Sequence, residues 1–473
     1  MDLNQNEKYH GRAHILWLSS PGNRDQIFHP QQLLQRKAEV LDIMGDWNQA
    51  ESIHRGSLEL ADVQKYQKLQ AEVQVLLAGV LFKKGRYGET YDLLEKALKF
   101  YEQADDQQAA GRILAEIGNV HRAQGDYDRA MEFYQRHLKI AEAREDSQAI
   151  SRTVGNMGNV YRVRGQHAQA MECYFREASL SEQLGDKRAA ALATGNIGLV
   201  YLNQGDARLA LVYTQQFLQN AQELGDKRNL GVAYGVLGSI YRHQGLLDKA
   251  MEVYRRQLVI MTELGDARSR SYALGNVGRI YQLQYNFPMA REYYSRHLAL
   301  AEELGDKRSI SFAEGALGGL YKALLAFPKA LNHYQRAIGL CRELKLGPEL
   351  AENLNHTAEL FLLQGQAGQA RPLNAEALEV AEGIGKQEII FSSRLLLARI
   401  AAPEDRAGAA AMMLALADGG LKPGQTAEVC YQLFMLTGEE EFRQKALAAY
   451  QSLYNEAPDL AIRLKLDELT SRK

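Results

Sequence analysis

Cysteine is almost missing from this chain. Its 473 residues include only Cys173, Cys341 and Cys430, which are far apart and form no CxxC pair. An odd, scattered set of this kind excludes a disulfide framework and a structural zinc site, and it fits a reducing compartment. Proline is scarce too, at nine residues, so little interrupts long helices. No charge sign dominates: 56 Lys and Arg against 58 Asp and Glu leave a formal net charge of -2. That balance argues against a general binder of nucleic acid or anionic membranes. No stretch approaches the roughly 20 apolar residues that span a bilayer. The N-terminus, Met1-Asp2-Leu3-Asn4-Gln5-Asn6-Glu7-Lys8, lacks the charged-then-apolar design of a signal peptide. A cytoplasmic location is expected.

Catalytic signatures are missing as well. There is no phosphate-binding Gly-x4-Gly-Lys-Ser/Thr loop, and Gly385-Lys386-Gln387 lacks both the hydroxyl and the glycine run. Gly-x-Ser-x-Gly, HExxH and Gly-x-Gly-x-x-Gly do not occur. The eleven histidines are scattered. His137 and His297 recur at one place in a repeated pattern, which marks a packing or surface position. No enzyme, cofactor or metal site is expected.

Glycine, by contrast, is plentiful at 40 residues, and its spacing explains why. Gly118, Gly158, Gly198, Gly238, Gly278 and Gly318 stand forty residues apart. Three residues after each comes His121, Tyr161, Tyr201, Tyr241, Tyr281 or Tyr321. Twelve after each comes Ala130, Ala170, Ala210, Ala250, Ala290 or Ala330, and four further on Tyr134, Tyr174, Thr214, Tyr254, Tyr294 or Tyr334. These spacings put the glycine and the first aromatic on one helix face, and the alanine and the second aromatic on another. Gly125, Gly165, Gly205 and Gly245 end the first helix, where a left-handed residue costs glycine little. Each unit is therefore a helical hairpin that pairs small residues at its crossing. Leu184-Gly185-Asp186-Lys187-Arg188 and its counterparts at 224, 264 and 304 join the units, with Gly closing one helix and Asp capping the next.

The segment Met157-Gly158-Asn159-Val160-Tyr161, followed by Ala170 and Tyr174, resembles the tetratricopeptide repeat. The usual period is about 34; forty points to a subclass with a longer second helix. The Gly-Asn runs and the Leu-Gly-Asp-Lys-Arg joints resemble those of the Pins/LGN polarity adaptors and of repeat arrays on bacterial signalling ATPases and cyclases. The resemblance implies an all-α, right-handed solenoid of about ten helix-turn-helix units with a C-terminal capping helix. Residues 1–30 are expected to form an N-terminal cap, 31–110 two degenerate units and 111–350 six regular ones. A degenerate unit and a following helix should occupy 351–400, and a divergent helical cap 401–473. Beyond Ile400 the period is expected to fail at the Ala-rich stretch 407–416 and Gly419-Gly420.

In this family the first helix of each pair lines the concave wall. Carried over, this exposes four rows to a groove. The first is Asn119, Asn159, Leu199, Ser239, Arg279 and Gly319; the second Glu116, Asn156, Asn196, Val236, Asn276 and Ala316. The third is Arg122, Arg162, Leu202, Arg242, Gln282 and Lys322; the fourth Arg112, Arg152, Leu192, Val232, Tyr272 and Phe312. One end is rich in arginine and amides, opposed only by Glu116, and the fourth row then turns apolar. Asparagines can pair with the backbone of an extended peptide, and guanidinium forks with carboxylates. Leu192, Val232, Tyr272 and Phe312 would be anchor pockets. The competing structural reading is that the asparagines suit a solvated helix and the apolar row packs against a neighbour.

The expected partner is another protein, through an acidic segment with apolar anchors. Nucleic acid and membrane are not expected, and self-association is a further option. The alternative function is a sensor module of a bacterial signalling system whose effector lies on another chain.

Overall fold

A computed structural model describes residues 34, 36–42, 46–63, 66–456 and 460–472. The expected cap over 1–30 lies outside the described residues. The first complete helix is α1 (Trp47–Val63), followed by the hairpins α2 (Gln67–Lys83) with α3 (Tyr87–Gln103), α4 (Gln107–Ala123) with α5 (Tyr127–Ala143) and α6 (Ser147–Val163) with α7 (His167–Gln183). Next come α8 (Lys187–Gln204) with α9 (Ala207–Glu223), α10 (Lys227–His243) with α11 (Leu247–Glu263) and α12 (Ala267–Leu283) with α13 (Phe287–Leu304). The array continues through α14 (Lys307–Ala323) with α15 (Phe327–Leu344) and α16 (Gly347–Leu363) with α17 (Ala367–Gly383). Among the described residues the chain is all-α, a solenoid of antiparallel pairs. No described helix is long and apolar enough to cross a membrane.

Local chemistry sets the helix ends. The Asp106, Asp126, Asp146, Asp186, Asp206, Asp226, Asp266 and Asp306 side chains each accept the backbone N–H three residues on, satisfying a donor the helix cannot. Each unit thus starts about four residues ahead of the 111–150 frame read from the glycines. Gly125 (φ 78) and Gly185 (φ 69) take the left-handed conformation that ends the preceding helix.

Packing follows the columns. Ala130, Ala170, Ala210, Ala250, Ala290 and Ala330 are wholly buried, as are Tyr134, Tyr174 and Tyr334. A Cβ at Gly238 would come 2.4 Å from the Tyr254 ring, so the tyrosine column sits where only glycine leaves room.

The C-terminal part keeps the helix pairing while the forty-residue spacing lapses, the first helices starting at Gln387 and then at Pro423. The Ala-rich stretch does not end the pairing, because α19 (Arg406–Ala417) packs on α18 (Gln387–Ala401). Asp405 caps α19 by accepting from Gly408 N, and Met413 buries against Leu395 and Ala398 of α18. What changes is length: α19 has 12 residues, against 17 in most second helices. A last hairpin, α20 (Pro423–Thr437) with α21 (Glu440–Glu456), and a closing helix, α22 (Leu460–Ser471), complete the stack.

The solenoid coils back upon itself. Trp47 lies beneath the Arg268 guanidinium, 5.8 Å from its ring centre. A Cβ on Gly85 would sit 3.6 Å from Lys307 Cβ, and one on Gly125 would sit 3.2 Å from Pro348 Cδ. Lys386 Nζ donates to the Val163 carbonyl, 223 residues away; the other pairs are separated by nearly the same distance in sequence. One superhelical turn therefore takes roughly five and a half repeats. Within-hairpin turns of one coil rest on between-unit joints of the next.

Candidate functional site

The even-numbered first helices form the inner wall. Successive members of this set touch, as α4 does α6, α8 does α10 and α14 does α16, whereas no comparable contact joins successive second helices among the described residues. A curved array brings its inner elements closest. Because the coils touch, the concave face over this part is a channel walled by protein.

Between units, the joint arginine of one repeat clasps the capping carboxylate of the next. Arg188 Nε lies 2.9 Å from Asp226, Arg228 Nη1 3.6 Å from Asp266 and Arg268 Nε 3.1 Å from Asp306. Arg308 continues the series to Glu349 at 2.9 Å. These joints carry structure.

None of the side chains expected to bind is fully buried. Arg112, Arg152 and Arg279 are exposed, and Asn119, Arg122, Asn156, Asn159, Arg162, Asn196, Arg242, Asn276 and Lys322 are half-buried. Leu192, Val232 and Phe312 keep 39%, 40% and 39% of their surface. Tyr272 is half-buried and meets Phe312 edge-on at 6.4 Å.

Hydrogen bonding divides the asparagines. The Tyr134 hydroxyl donates to Asn119 Oδ1 at 2.8 Å and the Tyr174 hydroxyl to Asn159 Oδ1 at 3.0 Å. Asn119 Nδ2 donates to Glu116, and Asn159 Nδ2 to the Gly155 carbonyl. These two amides therefore fasten the tyrosine column to the wall. Asn156, Asn196 and Asn276 make no side-chain hydrogen bond among the described residues.

The charges divide similarly. Arg112, Arg122, Arg152 and Arg162 have no carboxylate at ion-pair distance among the described residues; Arg122 and Arg162 lie against the Tyr134 and Tyr174 hydroxyls. Lys322 is committed to Glu359 at 2.6 Å, and Glu359 also holds Arg399 at 3.1 Å. This pairing keeps Glu359 ionised, with its pKa down at about 2 despite burial. Arg242 stands beside Arg279; burial, then that like charge, lower its pKa.

The sequence reading missed the wall beyond residue 322. Glu352, His356 and Glu359 continue the same rows, and Arg399 follows one repeat later. Ala358 replaces the marker glycine in that unit, so forty-residue counting alone would have found them. Glu352 has Arg279 and Lys386 within electrostatic reach, although burial, the largest influence, raises its pKa. Burial also pushes His356 down to about 4, which leaves it neutral near pH 7. No group of three or more His, Cys, Asp or Glu side chains able to hold a metal occurs among the described residues.

The tetratricopeptide-repeat profile matches residues 69–143, 229–303 and 269–343. With the paired helices and their glycine, alanine and tyrosine columns, this identifies the matched segments as tetratricopeptide repeats. No curated protein matches it. Among solved structures, a Rap protein complexed with competence and sporulation factor aligns over 76% of this chain and 99% of its own, at 16% identity and a TM-score of 0.54. That likeness concerns the fold. A signal-transduction ATPase with a tetratricopeptide repeat sensor, from Pyrococcus horikoshii, aligns over 73% of this chain and 52% of its own, at 14% identity and a TM-score of 0.46, too loose to carry an argument.

Proposed function

We propose that this protein is a non-catalytic interaction scaffold, which takes an acidic segment of a partner protein, with apolar anchors, along its inner channel. The carrying observation is the wall of Arg112, Arg122, Arg152 and Arg162, four guanidinium groups without carboxylate partners among the described residues. Elsewhere in the array, arginines are regularly clasped, at the joints and between second helices, as Arg176 is to Glu142 at 3.0 Å. Leaving four unpaired on the inner face suits a ligand that brings its own carboxylates. Free Asn156, Asn196 and Asn276 can hold an extended backbone, and Leu192, Val232 and Phe312 offer apolar contact. A Rap protein of the same fold has been seen complexed with competence and sporulation factor, which supports this type of architecture holding a ligand.

The test is a pull-down from native lysate with the wild type and the Arg122→Glu/Arg162→Glu double variant, with circular dichroism to verify helicity. A partner captured by the wild type and lost by the variant at unchanged helicity is the expected result. Equal capture by both proteins overturns the reading.

A further inference from the structure

The edge formed by the within-hairpin turns is covered along the first coil and exposed along the second. Trp47, Tyr87 and Tyr127, each the first residue of its helix, are all buried. Joints of the next coil lie against this stretch, with Arg268 over the Trp47 ring, Lys307 opposite Gly85 and Pro348 opposite Gly125. Phe287 and Phe327 hold the same position in later units and stay half-buried. Around them Tyr285, Leu324, Leu325 and Leu363 keep 41%, 43%, 72% and 53% of their surface. A Cβ on Gly365 would meet nothing within 4 Å, where those on Gly85 and Gly125 meet the next coil. The apolar edge runs on from unit to unit: Phe287 packs with Leu317 and Leu320 of α14, which leads into Leu324, and Phe327 packs with Leu360 of α16, which ends at Leu363.

Two of these side chains are held there against the backbone's preference. Gly85, Gly125, Gly165, Gly205, Gly245 and Gly365 take the left-handed turn position in their units, but Tyr285 (φ 58) and Leu325 (φ 55) take it in theirs. That conformation disfavours a residue with a Cβ, and Leu325 gains little burial within the chain to offset it. Strain kept at an exposed apolar side chain points to a contact outside the chain.

The chemistry of the edge selects what covers it. Residues 283–288 and 323–328, Leu-Gln-Tyr-Asn-Phe-Pro and Ala-Leu-Leu-Ala-Phe-Pro, carry no charge, so two copies of this surface do not repel each other. Asp105, Asp106 and Glu145 stand exposed at joints of the first coil. A copy stacked head to tail would therefore press carboxylates onto leucines. Turn edge on turn edge sets apolar against apolar, and a two-fold arrangement closes at two copies. It also continues the seam at which the coils of one chain already meet.

We propose that the turn edge carrying Tyr285, Leu324, Leu325 and Leu363 is a homodimer interface, which docks on the same edge of a second copy of this chain.

Sedimentation of the full chain from roughly 1 to 100 micromolar tests this. Twice the chain mass should prevail at the upper end. Tyr285→Gly/Leu325→Gly gives both turns the residue that other units carry there, so the variant should fold, with circular dichroism to verify it. Its dimerisation should be at least roughly tenfold weaker. Hydrogen exchange in the wild type should slow at residues 283–288 and 323–328 as concentration rises, and stay unchanged at 123–128, which the next coil already covers. Leu325→Gly should raise the melting temperature of the dilute chain, and that gain should shrink with concentration, because association stabilises the wild type more. A wild type that stays monomeric throughout overturns the proposal and leaves the edge to a different protein. A double variant that dimerises as tightly as the wild type overturns it too. Mass that grows past two copies shows head-to-tail stacking, which overturns the two-fold arrangement.

Discussion

Lys386 Nζ donates to the backbone carbonyl of Val163 across 3.5 Å, although 223 residues separate them. It is the clearest of several contacts by which one coil of the solenoid rests on the next. Repeat arrays usually stabilise each unit only through its neighbours in sequence; here, units far apart in sequence also support each other.

Trp47→Ala tests that support. Trp47 is 4% exposed and packs with Val80, Leu274, Leu300 and Leu304, beneath Arg268. Truncation should cost about 3–5 kcal/mol. Hydrogen exchange should accelerate in α1 and α2 and also in α12 and α13, and small-angle scattering should report an expanded particle. Faster exchange confined to α1 and α2 would show that the coils do not support each other.

Gly238→Ala probes the packing column. The added methyl would meet the Tyr254 ring at 2.4 Å, and such overpacking costs typically about 1–3 kcal/mol. Thermal melting should show the loss. Gly56→Ala is the control, since a Cβ there meets nothing within 4 Å; that variant should melt no lower than the wild type.

Leu325→Gly should stabilise the protein. Leu325 holds φ 55 at a hairpin turn where Gly125, Gly165, Gly205 and Gly245 stand in other units, and it is 72% exposed. Left-handed backbone disfavours a residue with a Cβ by roughly 1 kcal/mol or more. The exposed side chain contributes little packing in return, so the melting temperature should rise. A fall would mean that the leucine makes a contact outweighing its strain.

Glu177→Gln should alter the dependence of stability on pH. The Glu177 carboxyl lies where a Cβ on Gly155 would meet it at 2.4 Å, its Oε2 has no hydrogen-bond partner among the described residues, and burial pushes its pKa up from 4.5 to about 8. Below pH 4.5 both folded and unfolded chains carry the proton, and this group costs no stability. Between 4.5 and about 8 the unfolded chain releases it while the folded chain retains it, so stability falls as pH rises. Glutamine has no proton to lose. The variant should match the wild type near pH 4.5 and exceed it by a few kcal/mol near pH 8. Parallel melting curves across this range would refute the assignment.

The asparagines show where sequence reasoning stops. Asn119 and Asn159 sit on the inner wall where the register puts them, but their carbonyls belong to Tyr134 and Tyr174. A wall position in the repeat does not by itself reveal whether its amide is free. The tyrosine standing fifteen residues on was the available signal. The same spacing run forward pairs Gly319 with Tyr334, whose hydroxyl has no hydrogen-bond partner among the described residues.

The sequence by itself determined the hairpin, its period and the helix ends, because each depends on contacts within one unit: glycine against tyrosine, alanine at the crossing, aspartate on the N–H three residues on. Only the tertiary structure decided that the coil closes after roughly five and a half repeats, turning a groove into a channel. That outcome is the sum of small rotations between units, and no local pattern encodes a sum.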